Sequence, residues 1–173
     1  MMMKMLAAGG VPLATDEQRA ADESNPEGYF ELERVKTLEH SDHHPWLADC
    51  RGRAVKIISF LLSQLPDAFN YRVVFMHRPL SEVIASQDRM LARRGEAADT
   101  AAEATAAHFQ DHLTHVRRLL HCEPWFESLD VSYNQNVADP IAEAIRVNRF
   151  LGGRLDVRAM CDAVNPALYR NRG

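Results

Sequence analysis

Residues Tyr71 to Met76 read YRVVFM, a nearly unbroken apolar run of strand-forming residues. A strand wetted on one side alternates apolar and polar residues, whereas an unbroken run suits a parallel strand covered on both faces. This segment commits the chain to a sheet with helices packed above and below it. Phe126 to Tyr133 (FESLDVSY) is predicted to be a strand of the same sheet. Ala54 to Phe60 (AVKIISF), rich in β-branched residues, is predicted to be a buried strand as well. Val11 to Thr15 reads as a short strand.

The segments between are helical. Met1 to Gly10 has good helix formers and a Gly9-Gly10 stop, but no Ser, Thr, Asp or Asn to cap its start. Tyr29 to Leu38 spaces Phe30, Leu32, Val35 and Leu38 as a short helix, and His40 to Pro45 reads as loop. After Pro79 one apolar stripe carries Leu80, Val83, Ile84 and Leu91. Thr100 to His121 carries another in Phe109, Leu113, Val116 and Leu120. Asp139-Pro140 opens a helix that runs to Phe150-Leu151 and stops at Gly152-Gly153. A last helix spans about Asp156 to Val164. Strands alternating with helices define an α/β fold with a mostly parallel sheet. With no internal repeat and no linker, residues 1–173 form a single domain.

Composition removes several function classes. The 20 Lys and Arg against 24 Asp and Glu leave a net charge of −4, which argues against nucleic acid as the main partner. No apolar run reaches the roughly 18 to 20 residues that span a bilayer, and Met1 to Leu13 lacks the pattern of a secretory signal. Cys50, Cys122 and Cys161 cannot all pair and share no metal-ligand spacing, so they read as reduced thiols of a cytoplasmic protein.

In open parallel sheets, ligands bind beyond the carboxyl ends of the strands. YRVVFM is followed by His77-Arg78-Pro79 and a helix begins at once, so Arg78 falls at that edge beside helix N–H groups that favour an anion. Its planar fork can donate two parallel hydrogen bonds to a phosphate. Ser86, about two turns along the helix, can offer a hydroxyl to the same anion. A structural ion pair is the competing role for such an arginine. His108, His112 and His115 recur at i, i+4 and i+7, a spacing that can hold zinc. Each precedes a residue of the apolar stripe, however, and a solvated helix edge is the competing reading. His40, Asp42, His43 and His44 form a compact loop cluster, and no metal-ligand set is assigned to either group. Trp46 and Trp125, each beside a proline, read as packing residues, and the basic tail Tyr169 to Gly173 as a charged end.

Arg78-Pro79-Leu80-Ser81-Glu82-Val83-Ile84-Ala85-Ser86 resembles the second nucleotide-binding motif of the sulfotransferases. In that family an Arg and a Ser eight positions later hold the 3′-phosphate of 3′-phosphoadenosine 5′-phosphosulfate. FESLDVSYNQNVADPIAEAIRVNRFLGG is similar to the family's strand, Tyr, Asp-Pro and helix ending in Phe-Leu-Gly, which implies that Tyr133 lies near the adenine. ATDEQRAADESNPEGYFELERVKTL and the closing NPALYRNR resemble a bacterial branch of sulfotransferase-like proteins. The resemblance implies a three-layer sandwich of the P-loop nucleotide-hydrolase architecture. It also implies sulfonate transfer from 3′-phosphoadenosine 5′-phosphosulfate to a hydroxyl or amine, with Arg78, Ser86 and Tyr133 binding the donor or its product.

The sequence also departs from the family. Met1 to Gly10 looks like the helix that follows the family's first strand and phosphate loop, a loop resembling G-x-P-R-S-G-T-S in this branch. That strand and loop are absent from these residues, so the chain reads as truncated at its N-terminus and inactive as it stands. The family strand would lie centrally, between Ala54–Phe60 and Tyr71–Met76. Its absence is expected to make the two neighbours repack or pair with another chain, giving self-association through exposed strand edges. Many cytosolic members carry Lys-Thr-His where this chain reads Lys56-Ile57-Ile58-Ser59, so no catalytic base is assigned. The rival readings are a non-catalytic nucleotide-binding or protein-interaction module and a metal-binding regulatory protein.

Overall fold

The computed structural model describes residues 1–16, 18, 21, 25, 27–40, 43–83 and 102–168. Two parallel strands, β1 (Tyr71–His77) and β2 (Phe126–Ser132), pair from Tyr71↔Phe126 to His77↔Ser132. Arg72 lies opposite Glu127 and its Nε reaches that carboxylate at 3.3 Å. The unbroken apolar run has the predicted consequence: both faces of β1 are covered. Tyr71, Val73 and Phe75 join one apolar cluster, together with Leu38, Trp46, Leu61, Val116 and Leu120. Val74 and Met76 join the other, together with Met5, Leu6, Val131, Val147 and Met160. The alternation of a pleated strand divides its side chains between these two cores.

Local signals place most of the helices. Helix α1 (Met2–Ala8) starts without a side-chain cap and ends at Gly9. A Cβ at Gly9 would lie 2.8 Å from Met160 Cγ, so only glycine lets α1 approach that methionine. Helix α2 (Trp46–Asp49) is a single turn that starts after Pro45, and residues 41 and 42 of the predicted loop lie outside the described residues. Helix α3 (Ala102–Cys122) carries the parallel crossover and buries Val116 and Leu120 of its stripe. Helix α4 (Tyr133–Ala138) begins where β2 ends, with Ser132 Oγ accepting from the Gln135 N–H at 3.4 Å. Helices α5 (Pro140–Phe150) and α6 (Val157–Asp162) are capped by Asp139 and Asp156, which accept from the Ala142 and Ala159 N–H groups at 3.1 and 2.9 Å. Glu33–Glu39 forms a 3₁₀ helix where the sequence predicts a short helix. Residues 80–83 are helical, and the rest of the predicted stripe, Ile84 and Leu91, lies outside the described residues.

Two predicted strands need correction. Val11 to Thr15 and Ala54 to Phe60 contribute only one isolated parallel bridge, Leu13↔Ala54. There the Ala14 N–H donates to Ala54 O at 2.9 Å and the Ala54 N–H to Pro12 O at 2.8 Å. From Ser59 the backbone turns into the 3₁₀ helix Ser59–Gln64, leaving Ile58 56% and Phe60 46% exposed. Both residues 55–58 and β1 line one cleft of about 1600 Å³. A ladder requires a neighbouring strand about 4.8 Å away, and β-branched residues facing a cleft have no such partner. Among the described residues the sheet is therefore two-stranded, smaller than the resemblance implies.

Candidate functional site

The cleft runs along β1, from Phe69, Asn70 and Trp125 at its start to Arg78 and Tyr133 beyond the carboxyl ends of the strands. Because His77 pairs with Ser132, the next residues on each strand, Arg78 and Tyr133, emerge at the same level. The Arg78 guanidinium carbon stands 4.0 Å from the centre of the Tyr133 ring, a close cation–π stack. Arg78 Nη2 also donates to Glu82 Oε2 at 3.2 Å, one helical turn on. Glu82 is only 5% exposed, and its other oxygen accepts from Asn134 Nδ2 at 2.8 Å. Of the two roles the sequence leaves open for Arg78, the ion pair is present: Glu82 holds the guanidinium at the carboxyl edge of the sheet.

The electrostatics of the cleft differ from those of the whole chain. Among the described residues Arg51, Arg53, Lys56, Arg72 and Arg78 line it together with Glu127, and Lys56, Arg72 and Arg78 are paired with Glu31, Glu127 and Glu82. The cleft thus combines apolar walls with cationic side chains that are in part held by carboxylates. Lys56 is itself anchored, donating to Glu31 Oε1 at 3.0 Å and to Tyr29 O at 3.1 Å. His77 is half-buried at the end of β1 and lines the same cleft.

Two of the three predicted donor-binding residues, Arg78 and Tyr133, are thus brought into contact. Ser86 lies outside the described residues, as does the basic tail from Tyr169. Sequence reasoning missed Glu82 and Asn134. Glu82 had a visible signal in its i, i+4 spacing from Arg78; Asn134 had none beyond following Tyr133.

The histidine helix takes a different form from a metal site. His112 Nε2 lies 2.8 Å from Ser59 Oγ, and His115 Nδ1 lies 2.8 Å from the Asp111 carbonyl. His108 and His115 are exposed, whereas the His112 ring stacks on Phe60 at 3.7 Å with a 7° interplanar angle. Among the described residues, no three His, Cys, Asp or Glu side chains are gathered to hold a metal ion. Burial raises the Cys50 and Cys161 thiols above the usual cysteine range, so neither is an activated thiolate.

A two-stranded parallel sheet with an arginine and an aromatic ring at its carboxyl edge, both lining one cleft, defines an α/β protein. Sequence comparison specifies the class further: a model of the sulfotransferase family matches residues 13–156, and the chain belongs to that family. The match covers the Leu13–Ala54 bridge, both strands and the Arg78–Tyr133 pair. No curated protein and no solved structure matches the chain. No helix among the described residues is long and apolar enough to cross a membrane.

Proposed function

We propose that this sulfotransferase-like protein binds 3′-phosphoadenosine 5′-phosphosulfate, or the 3′-phosphoadenosine 5′-phosphate it leaves, at the Arg78–Tyr133 edge. The family reaction passes the sulfonate to a hydroxyl or amine acceptor. In this reading Arg78 meets the 3′-phosphate, Ser86 adds a hydroxyl, and the Tyr133 ring lies beside the adenine. The stack of Arg78 on Tyr133 at the ends of two paired strands is the observation that carries the proposal. It pre-organises a planar cationic fork next to an aromatic face, as a nucleotide requires.

The proposal extends to the architecture, a three-layer arrangement of the P-loop type. No glycine-rich phosphate loop stands among the described residues, so this stretch of chain by itself is proposed to hold the nucleotide without transferring sulfonate. Self-association is proposed to run through the cleft-facing edge of β1. The cytoplasm, which keeps Cys50, Cys122 and Cys161 reduced, is the proposed compartment.

Calorimetric titration with 3′-phosphoadenosine 5′-phosphate tests the reading. Arg78→Ala is expected to weaken binding by about ten- to a hundredfold, the effect of losing a charged hydrogen-bonding partner. Glu82→Gln, which removes the competing charge and keeps an acceptor for Asn134, is expected to tighten it severalfold. Absence of binding by the wild-type chain would remove the nucleotide from the reading; binding with sulfonate transfer would make the chain an enzyme as it stands.

A further inference from the structure

A second group of chemically capable side chains lines the same cleft away from the Arg78–Tyr133 pair. Ser59 opens the 3₁₀ helix Ser59–Gln64, directly after the extended residue Ile58. Its Oγ lies 2.8 Å from His112 Nε2, across 53 residues of sequence. The imidazole lies flat on Phe60, with ring centres 3.7 Å apart, and Phe109 meets Phe60 edge-on at 6.4 Å. Ile57, Leu113 and Phe109 give this part of the cleft an apolar wall. Ser59 and His112 are both half-buried, so the hydroxyl is held by the fold and still reachable from the cleft.

We propose that Ser59 and His112 form a nucleophile–base pair that accepts acyl groups from apolar carboxylic esters entering the cleft. The stacking on Phe60 fixes the plane of the ring, which orients Nε2 toward the hydroxyl. With the ring proton on Nδ1, Nε2 accepts from Ser59. Burial, and then the neighbouring His108 and His115, hold the imidazole below the usual histidine range, so it is in its basic form at neutral pH.

The chemistry balances without any further reagent but water. Ser59 Oγ attacks the ester carbonyl carbon, a C–O bond forms, and the hydroxyl proton passes to His112 Nε2. Collapse of the tetrahedral species breaks the bond to the departing alcohol, which takes the proton back from His112. Water then attacks the acyl-serine, giving its proton to Nε2, and the carboxylic acid leaves as the proton returns to Ser59. The sum is ester plus water giving acid plus alcohol. The activity goes beyond nucleotide binding and uses neither Arg78 nor Tyr133.

A fluorophosphonate probe, which phosphonylates an activated serine with loss of fluoride, reads the pair directly when the adduct is mapped by mass spectrometry. One adduct on Ser59 is expected, absent in Ser59→Ala and retained in Ser63→Ala, which alters an exposed serine of the same 3₁₀ helix. In His112→Gln and His112→Phe the labelling rate is expected to fall by about a hundredfold or more, the effect of a lost general base. The phenylalanine variant keeps a ring against Phe60, so a loss in both variants with an unchanged circular dichroism spectrum is chemical rather than structural. Hydrolysis of 4-nitrophenyl acetate should fall in parallel. A folded wild-type chain without a Ser59 adduct, or equal labelling in the His112 variants, would overturn the proposal.

Discussion

Tyr71–His77 and residues 54–60 are comparably rich in apolar and β-branched residues, yet they take different places in the molecule. The first is paired along its whole length with β2 and divides its side chains between two cores. The second has one bridge at Ala54, leaves Ile58 and Phe60 exposed, and turns into a 3₁₀ helix. Composition sets a preference for extension in both. Only a neighbour that supplies backbone hydrogen bonds turns extension into a strand. The difference also positions side chains: the paired strands bring Arg78 and Tyr133 together at one edge, whereas the unpaired stretch ends with Ser59 against His112.

Substitutions in the two regions should separate them, beginning with the largest effect. Val131, in β2, is fully buried against α1, α5 and α6. Val131→Asp places an unpaired carboxylate there and is expected to cost more than about 4 kcal/mol, read as loss of the cooperative thermal transition. A smaller effect is expected from pH at the start of β1. Burial, with Asp67 adding to it, pushes the Tyr71 phenol up to about 12, and its hydroxyl donates to Pro66 O at 2.8 Å. Because the folded value exceeds the unfolded one near 10, this contribution is intact below about pH 10 and lost as pH rises toward 12. Tyr71→Phe should therefore flatten the alkaline fall in melting temperature, and an unchanged fall would assign the loss to other groups. The smallest effect belongs to the unpaired stretch. Ile58→Thr is expected to change stability by no more than about 0.5 kcal/mol in a denaturant titration, because more than half of the residue is already in water. A loss of about 2 kcal/mol there would show that residues 54–60 are packed as closely as β1.

The carboxyl edge of the sheet is partly legible in the sequence. Arg78 follows an obvious strand and precedes a helix, so its position comes from local pattern, whereas Tyr133 is placed by the family resemblance. Their mutual contact comes from neither, since it depends on His77 pairing with Ser132 rather than one residue earlier or later. The histidine helix is less legible. Its spacing fits both a zinc site and a solvated edge, and the contact of His112 with Ser59 lies in a segment whose pattern reads as a buried strand.

By itself the amino-acid sequence determined the elements whose causes are local. These are the Asp139 and Asp156 caps, the Gly9 and Gly152-Gly153 stops, and the unbroken apolar run of β1. A cap or stop depends on a few adjacent residues, and a two-faced strand declares itself through its own side chains. Tertiary structure alone decided that Ala54–Phe60 forms no ladder, that Glu82 grips Arg78 while Tyr133 stacks on it, and that Ser59 meets His112. Those outcomes depend on which segments become neighbours across long stretches of chain. Neighbours are chosen by the joint packing of two cores, which no local window contains.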